Sequence, residues 1–321
     1  MRDIIISGSI AYDYLMRFPG HFSEHLMKDH LEHVSLSFLV DDMTKHWGGV
    51  GANIAYTMAL LAMKPKLFAT VGRDFGDYRE HLEAVGVDCS TVRRDSDLFT
   101  ASFFANTDLD NNQIASFYTG AMALARQYSL ADVHEGKPDM VVISPNDPEA
   151  MLQLSQECRD RGIRFVADPS QQVPRLSGDQ LRQCIDEAHL LVINKYESEI
   201  ICKKIGIDAH ELRELVNILI VTQGKHGSEI YTEGRLTHVD VFPTEEILDP
   251  TGVGDGYRAG LLRGIAADLP LELSAQMGSL SAAYVLEQVG TQNHTFTVED
   301  FVARFRTHFD DEGQLDVLLA R

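Results

Sequence analysis

The chain has 321 residues, a formal net charge of −20 and four cysteines that form no C-x-x-C pair. So acidic a protein is not expected to bind nucleic acid in general or an anionic membrane, because both need a basic surface. The scattered cysteines favour neither a zinc cluster nor a disulfide framework, and the apolar runs are too short for a signal peptide or a membrane span. We therefore expect a cytoplasmic protein.

The first predicted strand is the apolar stretch at residues 4–6, which ends before Gly8. Ser9 and Asp13 follow its C-terminal end, and in open α/β sheets ligands bind at that end. Asp13 is therefore a candidate binding residue. The alternative is an aspartate in a surface turn.

Four histidines, His21, His25, His30 and His33, follow at spacings that could be taken for a metal site. Zinc ligands at such spacings normally include cysteines or the H-E-x-x-H pattern, and neither is present. We expect a solvated helix or loop here rather than a metal site.

Residues 34–40 alternate apolar and polar side chains, which predicts a half-buried strand. The glycine-rich loop that follows, with Gly48 and Gly49, lets the backbone approach a ligand closely. From Asn53 to Ala62 the apolar residues have helical spacing, so Asn53 lies in the first helical turn. Its amide could bond a sugar hydroxyl, or it could cap the helix.

Two β-rich runs, residues 100–106 and 113–119, are joined by a turn-forming segment and predict a hairpin outside the parallel sheet. Together with residues 34–40 the hairpin would form a small separate sheet, and a sheet at the edge of a cleft is a candidate lid. Most of its aromatic side chains would pack within the sheet. One ring turned inward could stack on a planar ligand group.

Elsewhere strands and helices alternate in the pattern of a doubly wound α/β sheet. Strands are predicted at residues 66–71, 140–143, 164–167, 190–193 and 218–222, with a hairpin of residues 228–231 and 236–241. Helices are predicted at residues 78–85, 148–161, 178–187, from 196, and near 257–268, 273–286 and 297–308. No repeat or flexible linker is visible, so residues 1–321 are taken as one folded unit.

Asn194 and Glu197 follow the strand at residues 190–193 as an N-x-x-E pair. This polar pair could hold hydrated magnesium or phosphate at the strand end. An N-cap asparagine with an acidic residue in the first helical turn explains the same residues.

The stretch from Leu248 to Gly260 places a glycine-rich loop directly before an apolar helix. The free N–H groups of Gly252, Val253 and Gly254, together with the helix dipole, would favour a phosphoryl group at one point. Asp255, in the first turn, could accept the proton of a hydroxyl that attacks the phosphorus. Alternatively, Asp255 is only a favourable first-turn acid and the glycines only form a turn.

These stretches, in this order, resemble the ribokinase-like, or PfkB, family of sugar and nucleoside kinases over nearly the whole chain. Several motifs in sequence are far more specific than any one of them. They are Asp13, Gly48-Gly49 with Asn53, Asn194-x-x-Glu197, Thr222-x-Gly224, and Asp249-x-Thr251-Gly252-x-Gly254-Asp255. Within the family the chain is most similar to bacterial adenosine kinases, through residues 37–41, 48–56, 107–114 and 120–122.

The resemblance implies a doubly wound, mostly parallel sheet flanked by helices, with a small β-sheet lid formed by residues 14–46 and 98–120. It also implies that ATP phosphorylates the 5′-hydroxyl of a nucleoside, with adenosine converted to AMP as the first candidate. Asp255 would be the catalytic base, and Gly252, Val253 and Gly254 would form the anion hole. The residues expected to hold the nucleoside are Ser9, Asp13, Gly48, Gly49 and Asn53, with Gln113, Ala115 and Phe117 facing the nucleobase. The residues expected at ATP are Asn194, Glu197, Thr222, Gly224, Gly227 and Ser279.

The resemblance further implies two cations. Mg²⁺ would lie near Glu197 and be held through water. A monovalent cation such as K⁺ would lie near Asp249 and Thr251.

The chain also departs from the family pattern. A basic side chain from the lid onto the phosphates has no match, since Asn111 lies nearest that position and Arg258 and Lys225 are only weak substitutes. Charge neutralisation would then rest mainly on magnesium and backbone dipoles. Tyr257 stands where phenylalanine is usual, so its hydroxyl needs a partner if it is buried.

Other functions remain open at this stage. They are a ribokinase- or fructokinase-type sugar kinase, a kinase for another nucleoside such as inosine or cytidine, and a non-catalytic ligand-binding member of the fold. A dehydrogenase would need G-x-G-x-x-G after the first strand, which is absent. The expected partners are a small nucleoside or sugar and ATP. The lid strands could supply a homodimer contact, although their residues do not decide it.

Overall fold

The computed structural model describes residues 2–25, 36–244 and 246–320. His30, His33 and the first two residues of the predicted strand at 34–40 lie outside the described residues. No helix within these ranges is long and apolar enough to cross a membrane.

The described strands and helices are numbered in chain order. The strands are β1 (Ile4–Ser7), β2 (Ala11–Arg17), β3 (Asp42–Gly48), β4 (Lys66–Phe68), β5 (Thr70–Val71), β6 (Arg93–Arg94), β7 (Ala101–Thr107), β8 (Gln113–Tyr118), β9 (Met140–Ile143), β10 (Phe165–Ala167), β11 (Leu190–Asn194), β12 (Ile218–Thr222), β13 (Ser228–Thr232) and β14 (Arg235–Val239). The α-helices are α1 (Phe22–His25), α2 (Val50–Leu60), α3 (Gly76–Val85), α4 (Pro148–Asp160), α5 (Gly178–Ile185), α6 (Lys195–Ile205), α7 (Ala209–Glu214), α8 (Val253–Ala266), α9 (Leu271–Leu286), α10 (Val298–Phe305) and α11 (Asp316–Leu319).

The central sheet has eight strands in the order β14-β13-β12-β11-β10-β9-β1-β4. The strands from β12 to β4 in that order are parallel, and β13 and β14 extend one edge as an antiparallel hairpin. The parallel strands are short apolar runs buried on both faces, as in β1. Because these strands are parallel, their carboxyl ends meet at one edge of the sheet.

Helices cover both faces of the central sheet. Ile5 packs in one apolar cluster with residues of α4, α5 and α6, whereas Ile4 and Ile6 pack in another with residues of α2, α3 and α8. Successive side chains of a strand point to opposite faces, so one short strand contributes to both cores. The predicted doubly wound, mostly parallel α/β fold is confirmed.

A second sheet has four strands in the order β3-β2-β7-β8. The predicted hairpin of β7 and β8 is confirmed, with Phe103 opposite Phe117. The strand predicted at residues 34–40 is wrong in its described part, because residues 36–40 form no strand and β3 begins at Asp42. β3 is a polar and largely exposed strand that pairs with β2 along its whole length, so backbone pairing rather than an apolar face defines it.

The single strand predicted at residues 66–71 is two strands. β4 belongs to the central sheet, whereas β5 pairs with β6 in a separate sheet of two strands. Between them, the carbonyl of Ala69 accepts the N–H of Arg93 at 2.8 Å. A continuous apolar run indicates that a strand is buried but not which strand it pairs with. The sequence therefore gives no sign that β4 and β5 belong to different sheets.

Helix α8 begins at Val253, four residues before the predicted start near residue 257. Gly256 and Gly260 lie inside it because α9 packs closely against it. A Cβ atom on Gly260 would lie 2.4 Å from the carbonyl oxygen of Met277, and one on Gly256 would lie 2.7 Å from the Val285 side chain. The glycines that suggested a longer loop therefore serve helix packing, and Asp255 lies in the first turn.

His294 is a buried histidine that should make stability depend on pH. It is 1% exposed, its Nε2 lies 3.0 Å from the Thr57 hydroxyl, and its Nδ1 is buried without a hydrogen-bond partner. Burial lowers its pKa from 6.5 to about 4. Below about pH 6.5 the unfolded chain takes up a proton at this ring, but the folded protein does not until about pH 4. This difference should remove about 3 kcal/mol from the free energy of unfolding across that window.

Urea denaturation of the wild type and of His294→Gln at several pH values checks this prediction. Between about pH 7 and pH 4.5, the free energy of unfolding should fall less in His294→Gln than in the wild type. Asp13 and Asp255 have raised pKa values, so they increase the free energy of unfolding as the pH falls. Both residues are present in every protein compared, so their effect cancels in the comparison. His226→Gln, at an exposed position, is the matched control and should keep the wild-type pH dependence. Equal pH dependence of His294→Gln and the wild type would contradict the prediction.

Candidate active site

Two adjoining cavities lie at the carboxyl edge of the central sheet. The first cavity, of about 430 Å³, lies between this edge and the four-stranded sheet. The second cavity, of about 200 Å³, lies beyond the ends of β11 and β12. Val50, Gln171, Gly252 and Asp255 line both of them. Groups bound in the two cavities would therefore meet beside these residues.

The N-terminus of α8 forms part of the wall between the cavities. Gly252 caps the helix with φ 77°, and a Cβ atom there would lie 2.8 Å from the Thr291 side chain. No side chain caps the helix. The N–H groups of the first turn therefore have no hydrogen-bond acceptor within the helix or from a capping side chain. Together with the helix dipole, they favour an anion at Gly252 and Gly254.

Asp255 is buried where the two cavities meet. The Nδ2 of Asn53 donates to its Oδ2 at 2.8 Å, and the Nη1 of Arg258 lies 3.5 Å from its Oδ1. Burial raises the pKa of Asp255 from 3.8 to about 7, with Asp168 and Asp13 adding to the rise and Arg258 and Asn53 opposing it. A carboxylate with a pKa near the working pH is well suited to act as a general base.

Asn53 lies in the first part of α2, but it does not cap the helix. Its Oδ1 accepts hydrogen bonds from the Thr291 hydroxyl at 2.9 Å and from the Gln292 Nε2 at 2.8 Å. These two donors fix the orientation of the amide, so that its Nδ2 faces Asp255. Thr291 and Gln292 were not predicted from the sequence, because nothing in their neighbourhood in the chain distinguishes them from ordinary loop residues.

Asp13 faces the first cavity from β2, so it is not a surface-turn residue. Burial raises its pKa from 3.8 to about 6, and the nearby charge of Asp249 adds to the rise. Gly48 lies beside it on β3, where a Cβ atom would lie 2.4 Å from the Asp13 Oδ2. The absence of a side chain at Gly48 therefore makes room for this carboxylate.

Ser9 and Gly49 shape the floor of the first cavity. The Ser9 hydroxyl accepts the N–H of Val50 at 3.0 Å and so orients the start of α2. Gly49 has φ 94°, and a Cβ atom there would lie 2.6 Å from the Ser9 carbonyl oxygen. Any other residue at Gly49 would push β2 and α2 apart.

The four-stranded sheet contributes aromatic rings to the first cavity. Phe103 and Phe117 are paired across β7 and β8, and both line the cavity. Gln113 and Ala115 lie on the same face of β8 by strand alternation, but they are exposed and outside the cavity lining. Their contact with a nucleobase stays a prediction.

The segment after β10 is a second feature that the sequence analysis missed. Asp168 is fully buried and accepts hydrogen bonds from the Ser144 hydroxyl at 2.9 Å and the Ser170 hydroxyl at 2.5 Å. Gln172 and Arg175 of the same segment line the first cavity. The available signal was an acidic residue directly after a buried strand, the same signal that identified Asp13.

Asn194 and Glu197 line the second cavity together with Thr222. The Asn194 side chain accepts the N–H of Glu197, and the Glu197 Oε2 accepts the N–H of Asn194, each at 2.8 Å. This reciprocal capping confirms the helix-cap reading, but it uses only one carboxylate oxygen. Burial raises the pKa of Glu197, so a cation beside it would stabilise its charged form.

The other residues expected at ATP lie outside the lining of the second cavity. Gly224 is exposed at the turn after β12, and Gly227 packs so closely that a Cβ atom would lie 2.1 Å from the Val239 carbonyl oxygen. The Ser279 hydroxyl accepts the N–H of Phe242 at 2.6 Å and so anchors the chain after β14. Their contact with a nucleotide stays a prediction. The buried Tyr257 hydroxyl has the partner it needs, since it lies 2.7 Å from the Ser228 hydroxyl.

Asp249 joins two loops near the start of α8. Its Oδ1 accepts the N–H of Thr251 at 2.8 Å, and its Oδ2 accepts the N–H of Gly290 at 3.0 Å. These bonds and other interactions lower the pKa of Asp249 despite the opposing effect of its burial. Asp249 is therefore a fixed negative charge at the site.

Of the four histidines in the predicted solvated segment, His21 and His25 lie within the described residues. His25 packs its ring edge-on against Phe18 and Phe38. The His21 Nδ1 lies 2.8 Å from the Asp110 Oδ2.

Comparisons with known proteins identify the family and agree with the fold. Residues 9–297 match the family model described as pfkB family carbohydrate kinase. A curated relative described as a nucleoside kinase, from Methanothermobacter thermautotrophicus, is 31% identical over 97% of this chain and 98% of its own length.

Solved structures show the same fold and similar sequences. The structure of Burkholderia thailandensis nucleoside kinase in complex with inosine superposes with a TM-score of 0.85 and 32% identity, covering 95% of this chain and 98% of that one. The complex of that enzyme with ADP-inosine gives a TM-score of 0.82 and 34% identity, covering 95% of this chain and 96% of that one.

Proposed function

The chain belongs to the pfkB family of carbohydrate kinases, and from that premise we propose that it transfers the γ-phosphoryl group of ATP to the 5′-hydroxyl of a nucleoside, with adenosine as the first acceptor. The observation that carries the proposal is the position of Asp255, which lines both cavities. An acceptor hydroxyl in the first cavity and a phosphoryl group in the second would meet beside this carboxylate. The complexes of the Burkholderia thailandensis enzyme with inosine and with ADP-inosine support a nucleoside and a nucleotide as the two ligands.

In this proposal the Asp255 carboxylate accepts the proton of the 5′-hydroxyl as its oxygen attacks the γ-phosphorus. The negative charge on the transferring group is received by the N–H groups at the N-terminus of α8. Asn53 holds Asp255 in place through its Nδ2, and Asp13 accepts hydrogen bonds from the ribose hydroxyls. Closure of the four-stranded sheet over the first cavity would exclude water, which is a competing nucleophile.

The residues of the second cavity fit a hydrated magnesium ion. The Glu197 carboxylate uses one oxygen in the helix cap, which leaves the other free, and its pKa is raised by burial. Magnesium keeps several water ligands and binds protein through few carboxylates. When bound with ATP, the ion neutralises phosphate charge.

A monovalent cation such as K⁺ is proposed near Asp249 and Thr251. Asp249 supplies a fixed negative charge there, and it ties together the loops that carry Thr251 and Gly290. A cation at this point would steady the loop that leads into α8 and so the anion-binding turn.

Phe117 should separate nucleoside from free-sugar substrates. A ring that stacks on a nucleobase contributes about 1–3 kcal/mol to binding, so Phe117→Leu should raise KM for adenosine by about tenfold or more. A free sugar has no base to stack, so any activity on ribose should not change. Steady-state kinetics with both acceptors measure the difference.

Tyr118→Leu is the matched control, because Tyr118 is the next residue of β8 and points to the opposite face of the sheet. It should keep the wild-type KM for adenosine. An unchanged KM in Phe117→Leu would remove the stacking role.

A panel of acceptors tests the proposed function directly. ADP release in a coupled assay should depend on added adenosine or inosine, and ribose and fructose should support much slower release. Turnover only with sugars would establish a sugar kinase instead. Binding of a nucleoside, seen as a raised melting temperature, without any ADP release would establish a non-catalytic ligand-binding protein.

A further inference from the structure

Arg258 is a buried arginine to which the proposed reaction assigns no role. It lies one helical turn after Asp255 on α8 and is 8% exposed. Among the described residues that line the second cavity, no other is basic. A charge of this sign beside a phosphate site calls for a specific explanation.

One side of the guanidinium is anchored. Its Nη2 lies 2.6 Å from the Asp168 Oδ1 and donates to the Ser170 hydroxyl at 2.6 Å. Asp168 is itself held by the hydroxyls of Ser144 and Ser170. Because the guanidinium is planar and rigid, these contacts also fix the direction of its other edge.

The other edge faces the reaction site. Its Nη1 lies 3.5 Å from the Asp255 Oδ1, and a Cβ atom on Gly254 would lie 2.8 Å from this nitrogen. The Nε is buried without a hydrogen-bond partner. The guanidinium therefore lies directly behind the anion-binding turn and beside the carboxylate.

We propose that Arg258, anchored by Asp168 and Ser170, is a positioning residue for Asp255 that holds the carboxylate in its reactive orientation and places a fixed positive charge behind the anion-binding turn. The inference rests on the proposed kinase function. Arg258 keeps its proton throughout, since the proton of the acceptor hydroxyl goes to Asp255. A bond that only joined α8 to the segment after β10 would stabilise the fold but would not act on the reaction.

Substitution of Arg258 by methionine should separate these two roles. Arg258→Met keeps an unbranched side chain as far as about the position of Nε but removes the guanidinium and its charge. We expect kcat to fall on the order of 10²-fold while KM for adenosine and ATP changes only a few-fold. Loss of the charge should also move the acid limb of the kcat against pH profile to higher pH. The charged groups that act on Asp255 are Asp13, Asp168 and Arg258.

Asp168→Asn should move the same limb in the opposite direction. The amide can still bond the hydroxyls of Ser144 and Ser170, but the negative charge that opposes ionisation of Asp255 is lost. The acid limb should therefore move to lower pH. A structural role alone would alter stability in both variants without opposite shifts of the pH profile.

Arg258→Lys and Arg263→Met complete the experiment. The lysine keeps the charge, so it should recover part of kcat and return the acid limb toward the wild-type position. Arg263 is a second arginine of α8 and donates to the Leu61 carbonyl at 2.8 Å, away from the cavities, so its methionine variant should keep the wild-type profile.

The outcomes distinguish this inference from the proposed function. Wild-type protein without nucleoside-dependent ADP release would overturn the function. Active wild type together with unchanged kcat and acid limb in Arg258→Met would overturn only the inference. If melting curves show that Arg258→Met does not fold, Arg258→Lys and Asp168→Asn decide. An acid limb that does not move to lower pH in Asp168→Asn, or a kcat of Arg258→Lys equal to that of the wild type, would then contradict the positioning role.

Discussion

Asp255→Asn should lower kcat on the order of 10²-fold or more and leave adenosine affinity largely unchanged. The amide has nearly the size of the carboxylate and can still pair with Asn53, but it cannot accept a proton from the attacking hydroxyl. Steady-state kinetics give kcat, and calorimetric titration with adenosine gives the affinity. Because the loss falls on kcat rather than on binding, it would identify an interaction made only in the transition state.

The alternative for Asp255 is an acid that merely suits the first turn of a helix. Asp77→Asn is the matched control, since Asp77 is a first-turn acid of α3. It should lose no more than about 1 kcal/mol of stability and keep full activity. If Asp255→Asn behaved like Asp77→Asn, the carboxylate would have no role in the chemistry.

Asp13→Asn should raise KM for adenosine by about 10- to 100-fold, with a much smaller change in kcat. A hydrogen bond to a charged group contributes about 1.5–3 kcal/mol, and a carboxylate at this position can accept from a ribose hydroxyl. The pKa of Asp13 is raised to about 6, so the group is ionised at neutral pH and loses this binding as the pH falls below that value. The contrast with Asp255→Asn separates ground-state binding from catalysis.

A modified substrate sharpens the test of Asp13. The wild type should discriminate against 3′-deoxyadenosine, whereas Asp13→Asn should discriminate much less, because the two changes remove the same contact. Equal discrimination in the two proteins would show that Asp13 does not bind the 3′-hydroxyl.

The regular part of the fold follows from simple properties of the sequence. Strands such as β1 and β9 are buried on both faces and therefore appear as short apolar runs between turn residues. The four-stranded sheet was less predictable. β3 is polar and mostly exposed, so its pairing with β2 rather than an apolar face defines it. β2 itself was not predicted as a strand.

The site residues also divide into those that the sequence indicated and those that it did not. Asp13, Asn53 and Asp255 were proposed from their positions after strands or before helices, and the structure brings all three to the first cavity. Asp168 carries the same signal as Asp13, an acidic residue after a buried strand, but it was not singled out, whereas Thr291 carries no such pattern in its own neighbourhood. Thr291 bonds Asn53 across 238 positions of the chain, and only the folded topology brings such residues together.

The position at which a nucleoside is phosphorylated is the sharpest test of the proposed reaction. Wild-type protein would be incubated with Mg²⁺, ATP and adenosine, and the product would be identified by mass spectrometry and phosphorus NMR. We expect adenosine 5′-monophosphate as the product and no transfer to 5′-deoxyadenosine, which lacks the attacking hydroxyl. Phosphate on the 2′- or 3′-oxygen, or no nucleoside monophosphate at all, would contradict it.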